Sequence, residues 1–99
     1  MTESDDRDDL IRVFLEARTL LALPNNDYSW SSWESAHDAI SEVNGIVLSL
    51  QSGHLPDMLT MQVLFAATGP MQEVSLSSGW SNSFLELAER FDAALKKAL

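Results

Sequence analysis

A chain of 99 residues, 45% of them apolar, supports one hydrophobic core and not two, because each half alone would bury too little surface to offset chain entropy. It contains no cysteine, which excludes a disulfide framework, a thiolate zinc site and a thiol nucleophile, and which suits a reducing cytoplasm. Fifteen Asp and Glu against six Lys and Arg give a formal charge of -9, and a surface of that sign repels phosphate, which excludes nucleic acid as a partner.

Met1 to Ser4 reads as a disordered tail ahead of a single helical domain over residues 5–99. The first six residues hold neither a basic region nor an apolar stretch, so they are expected to be neither a secretory signal nor a transit peptide. From Asp5 onward, Leu10, Phe14, Ala17 and Leu21 recur at the spacing of a helix that buries one face. Asp5, Asp6, Asp8 and Asp9 crowd its first turn and Arg18 stands near its other end, as the helix dipole favours. Pro24-Asn25-Asn26-Asp27 should end it, since proline cannot continue the ladder and Asn and Asp favour turns.

Ser31-Ser32-Trp33-Glu34 matches a capping box and predicts that a second helix starts there. Trp33, His37, Ile40, Val43 or Asn44, Val47 and Leu50 follow at helical spacing, and Gly53 is a terminator. Asn44-Gly45 is also a hairpin signal, but a glycine inside a helix costs only about 1 kcal/mol, so the helix is preferred.

Leu55-Pro56-Asp57 predicts another helix start, with Met58, Met61, Leu64 and Phe65 facing inward and Thr68-Gly69-Pro70 as the stop. A strand competes, because Leu59, Met61, Val63 and Phe65 alternate with Thr60 and Gln62, and residues 73–77 alternate too. Met, Leu, Gln and Ala favour the helix, and an isolated two-stranded hairpin is marginal. Ser78-Gly79 reads as a loop and Ser81-Asn82-Ser83 as caps for a last helix. Its buried stripe is Phe84, Leu87 or Ala88, Phe91, Leu95 and Ala98, with Lys96 and Lys97 in the final turn. The fold expected is an all-α bundle of about four helices, the alternative being α+β with a β-hairpin between Leu59 and Ser77. No membrane span is expected, since the longest apolar run, Val63 to Ala67, falls far below the about 20 residues a bilayer requires.

The leading helix, the Trp30-x-x-Trp33 helix, the apolar Leu64-Phe65 segment, the turn Thr68-Gly69-Pro70, Gln72-Glu73 and the closing helix together cover most of the chain. In that order they resemble a family of small bacterial proteins of unassigned function. The resemblance implies a bacterial helical domain and transfers no functional residue.

Candidate chemistry is sparse. Glu34-x-x-His37 would set a carboxylate and an imidazole on one helix face, as di-iron bundles do, but such sites need two such pairs and further Glu residues. Glu34 as a cap and His37 at the core edge is the plainer reading, and His54 beside Gly53 reads as a loop residue. The serines form no Gly-x-Ser-x-Gly elbow, two histidines leave little for a triad, and no phosphate-cradling loop occurs. No catalytic residue, metal ligand or cofactor is therefore assigned, and the chain reads as a binder rather than an enzyme.

Charge carries the functional expectation. No positive side chain occurs from Thr19 to Glu89, a stretch that holds Asp27, Glu34, Asp38, Glu42, Asp57, Glu73, Glu86 and Glu89. Glu34, Asp38 and Glu42 at successive i,i+4 positions would line one stripe of the second helix, either an ordinary solvated face or a docking stripe for a basic partner. Trp33 and Trp80 are expected in the core, Tyr28 and Trp30 at the surface, where such side chains anchor interfaces. The partner-binding candidates are thus Asp27, Tyr28, Trp30, Glu34, Asp38 and Glu42. The function expected is an acidic, cytoplasmic protein-binding module, such as an inhibitor or immunity-like protein covering the basic active site of a nuclease toxin. The alternatives are a small metal-binding bundle or enzyme using Glu34 and His37, and a structural subunit, monomer or homodimer, that self-associates through Trp30 and Tyr28.

Overall fold

The computed structural model describes residues 4–98, which form five helices and no strand. They are α1 (Ser4–Leu21), α2 (Ala36–Gln51), α3 (Met58–Leu64), α4 (Pro70–Ser78) and α5 (Ser81–Ala98). The all-α class holds, with one helix more than expected, and the hairpin between Leu59 and Ser77 does not form. Of the expected tail, Met1 to Glu3 lie outside the described residues, as do the side chains of Asp5 and Asp6, while Ser4 already opens α1.

α1 is the spine, packing against both α2 and α5, while α4 packs on α5. Leu10, Phe14, Ala17 and Leu21 are fully buried, joined by Val13 on the same face. In α5 the buried stripe is Phe84, Leu87, Phe91, Ala94 and Leu95. Phe65, just past the end of α3, carries that short helix into the core. Its ring stacks on Phe91 at 4.4 Å and on Phe84 at 6.3 Å, and meets Phe14 edge-on at 5.5 Å. Aromatic pairs in these arrangements contribute about 0.5–1.5 kcal/mol each beyond their buried area.

The second helix begins later than the capping box predicts. Its N-cap is Ser35, with no side-chain cap bond, and residues 31–35 form a bend. The Ser31 hydroxyl is committed elsewhere: it donates to the Pro70 carbonyl at 3.2 Å and accepts from the Trp33 amide at 3.2 Å. α2 then runs unbroken through Asn44-Gly45, burying Ala39, Val43, Ile46, Val47 and Leu50 and leaving His37 exposed.

The helix missed in the sequence is α4. Gly69-Pro70 does stop α3, but it also starts α4, with Gly69 as N-cap and Pro70 in the first turn, where proline's missing N–H costs nothing. The apparent alternation of residues 73–77 is resolved as one turn of helix burying Val74 and Ser75. Gly79 ends it in the left-handed region, at φ 86°, which glycine adopts without steric cost. Gly69 is required for a different reason. A Cβ there would overlap the Val63 carbonyl oxygen and stand 3.2 Å from that of Ala66, so α3 and α4 meet closer than any side chain permits.

Candidate functional site

The segment after α1 is pinned at both ends to α4. The Asp27 amide donates to the Ser78 hydroxyl at 2.9 Å, in the last turn of α4, and the Ser31 hydroxyl donates to Pro70 in its first. Residues 27–31 therefore run along α4 as a strap, opposite in direction to the helix. Asn26, just ahead of the strap, and Tyr28 within it finish α1, whose last carbonyls have no partner inside the helix. Asn26 Nδ2 donates to the Leu20 carbonyl at 2.7 Å and the Tyr28 hydroxyl to the Leu21 carbonyl at 2.6 Å. The Trp80 indole N–H donates to Asn26 Oδ1 at 2.8 Å, so one asparagine ties α1, the strap and the start of α5 together.

This anchoring separates the candidates. Tyr28 is half-buried with its hydroxyl used internally, and burial, outweighing a hydrogen bond with Asn26, raises its pKa above the usual phenol value. Asp27 caps a turn by accepting the Ser29 amide at 2.9 Å. Hydrogen bonds from the Ser29 side chain, then its backbone, hold the Asp27 carboxyl below the ordinary range. Both residues thus have local structural employment at the Ser78 end of the strap. Trp30 stands free, 74% exposed.

At the other end of the strap lies a shallow groove of about 490 Å³. Ser32 and Trp33 form one wall, Glu42 of α2 another, and Leu59, Thr60 and Val63 of α3 the third, with Leu64 and Pro70 also lining it. Trp33 is buried beside it, whereas Leu59 is 67% and Val63 47% exposed. Leu59 and Val63 stand one turn apart on the face of α3 opposite Met61, which is fully buried. Neither residue is among the partner-binding candidates that the sequence suggests. The signal was there, because Met58-Leu59-Thr60-Met61-Gln62-Val63-Leu64 is apolar on more than one face and a helix packed on one side can bury only one.

The acidic stripe is shorter than expected. Because α2 starts at Ala36, Glu34 lies in the bend before it, and only Asp38 and Glu42 stand one turn apart on the helix. All three carboxylates are exposed. The Asp57 carboxylate, capping α3, accepts from the amide and hydroxyl of Thr60, at 3.1 and 3.2 Å, and so sits by the groove's third wall.

The cations go elsewhere. Arg12 and Lys97 approach Asp9 at 3.8 and 3.3 Å, Arg90 pairs with Glu16, and Arg18 donates to Asn44 Oδ1 at 2.7 Å. Asn44 follows Glu42 by two residues and so lies on the other side of α2. Among the described residues no ion pair reaches Asp27, Glu34, Asp38, Glu42, Asp57, Glu73, Glu86 or Glu89.

The Glu34 and His37 pair does not share a helix face, since only His37 belongs to α2. The described residues hold no group of three or more His, Asp or Glu placed to share a metal ion, and no helix among them is long and apolar enough to cross a membrane. Comparison with protein-family models, curated proteins and solved structures returns no match.

Proposed function

We propose that this protein is an acidic binding module that docks onto a basic protein surface, with Asp38, Glu42 and the neighbouring Glu34 as its charged contacts. The observation that supports the reading is the division of charge: the ion pairs of the described residues fall on Asp9 and Glu16, and leave the carboxylates between Asp27 and Glu89 unneutralised. Exposed, unpaired carboxylates such as Asp38 and Glu42 accelerate encounter with a cationic partner, by an amount that salt suppresses. Asp27 and Tyr28 support the strap that shapes this surface, and Trp30 flanks it. In its most concrete form the module is an inhibitor or immunity-like protein that covers a basic active site, as in a nuclease toxin.

Affinity capture from the source cell at low and high salt tests this. A basic protein recovered at low salt and released as salt rises is the expected result. A neutral or acidic partner, or retention indifferent to salt, would overturn the reading.

A further inference from the structure

The geometry points to the groove between Trp33, α2 and α3 as the seat of an amphipathic basic helix presented by the partner. This inference rests on the reading above and adds the form of the ligand to it. Leu59 and Val63 make a two-residue apolar ridge on α3, exposed at 67% and 47%, beside the buried edge of Trp33. An apolar side chain from a partner would fill the space between ridge and Trp33, and a helix supplies such side chains at i, i+3, i+4 and i+7. The walls carry the other half of the recognition. Glu42 lines the groove, Asp38 stands one turn before it, and Asp57 caps the helix that bears the ridge. No Lys or Arg occurs anywhere in the elements that build the groove. Lysine or arginine flanking the partner's apolar stripe would therefore meet Glu42 in the groove, with Asp38 and Asp57 nearby, all three exposed.

Charge also opposes the simplest competitor. A second copy docking through the same face would form an isologous contact, bringing two copies of this acidic face together on molecules of formal charge -9. The exposed ridge thus calls for a partner of opposite charge.

A helical peptide with leucines at i, i+3, i+4 and i+7 and lysines on both flanks can be titrated into the isotope-labelled protein at low salt while amide resonances are followed. A scrambled peptide of the same composition, without the apolar stripe, is the control. The expected result is that shifts gather on Trp33, Glu42, Leu59, Thr60 and Val63. The scrambled peptide should bind at least about tenfold more weakly, and Leu59→Ser/Val63→Ser should weaken binding of the striped peptide by a similar factor. Glu42→Gln should reduce affinity and flatten its dependence on salt. These side chains are exposed, so unchanged circular dichroism and melting temperature should show that each variant remains folded. Equal binding of the two peptides, or full affinity in the double variant, would overturn the groove, as would self-association that the double variant abolishes. Shifts gathered instead around Glu86 and Glu89 would overturn the groove while leaving acidic docking standing. No binding of either peptide at low salt would count against both.

Discussion

Alanine at two glycines should act with opposite sign, and the pair tests the helix assignments where the sequence was ambiguous. Gly45 lies inside α2, exposed, and a Cβ there meets nothing within 4 Å. Gly45→Ala removes only the entropic penalty of glycine in a helix, so it should stabilise by roughly 0.5–1 kcal/mol. At Gly69 a Cβ overlaps the Val63 carbonyl, a backbone atom that no rotamer change can move, and crowds the carbonyl of Ala66. Relief means prying α3 from α4 and straining the 2.9 Å hydrogen bond that the Gly69 N–H donates to the Ala66 carbonyl. Overpacking of this kind costs about 1–3 kcal/mol, and loss of a tolerated N-cap adds a few tenths or more. For a domain of this size each kcal/mol shifts the melting temperature by about 4–8 °C. Gly45→Ala should therefore raise it by about 2–8 °C and Gly69→Ala lower it by roughly 5–25 °C. Urea titration followed by circular dichroism, with thermal melts alongside, measures both. A destabilised Gly45→Ala would mean that the chain turns at Asn44-Gly45 instead of continuing as helix. An unaffected Gly69→Ala would mean that the α3–α4 junction is looser than described.

Phe65→Ala should cost about 3–5 kcal/mol, because the ring, just past α3, meets Phe14 of α1 and both Phe84 and Phe91 of α5. A loss below about 1 kcal/mol, taken from the midpoint and slope of the urea transition, would refute that role. Asn26→Ala removes partners of both the Leu20 carbonyl and the Trp80 indole, so a loss of about 1–3 kcal/mol is expected, with a fluorescence change arising from Trp80. Wild-type stability would show that water replaces the asparagine at no cost. Tyr28 gives a pH test. Its folded pKa is raised, so as pH climbs past the ordinary phenol value the unfolded state ionises first and stability falls. Tyr28→Phe should make the alkaline decline shallower, and an identical pH profile in both proteins would contradict the burial of this hydroxyl.

The elements that were legible in the sequence are those whose signals are local. Leu10, Phe14, Ala17 and Leu21, and Phe84, Leu87, Phe91 and Leu95, repeat at the helical period over many turns, and α1 and α5 bury those residues. The misreadings share a cause in contacts between distant residues. Ser31 and Glu34 match a capping box, but Ser31 has a partner 39 positions away in Pro70, and no local pattern reports that competition. Tyr28 resembled an exposed anchor until its hydroxyl met the end of α1. α4 is hidden because Gly69-Pro70 carries two meanings, a stop for one helix and a start for the next, and nothing in the local pattern marks the second. At the site, the carboxylates of α2 were legible from charge alone. The ridge of Leu59 and Val63 was not, because the periodicity argument looks for the face a helix buries and passes over a second apolar face that it leaves outside.

The central claim is that the acidic surface around α2, rather than net charge, recognises a basic partner, and charge-reversed baits separate the two. Asp38→Lys/Glu42→Lys and Glu89→Lys/Asp92→Lys each change the formal charge by four, from -9 to -5, and all four residues are exposed. The second pair lies on α5, which packs against α1 and α4. Used side by side at low salt, the α2 variant should fail to capture the basic protein that the wild type and the α5 variant retain. Equal retention by both variants, or equal loss, would contradict the account.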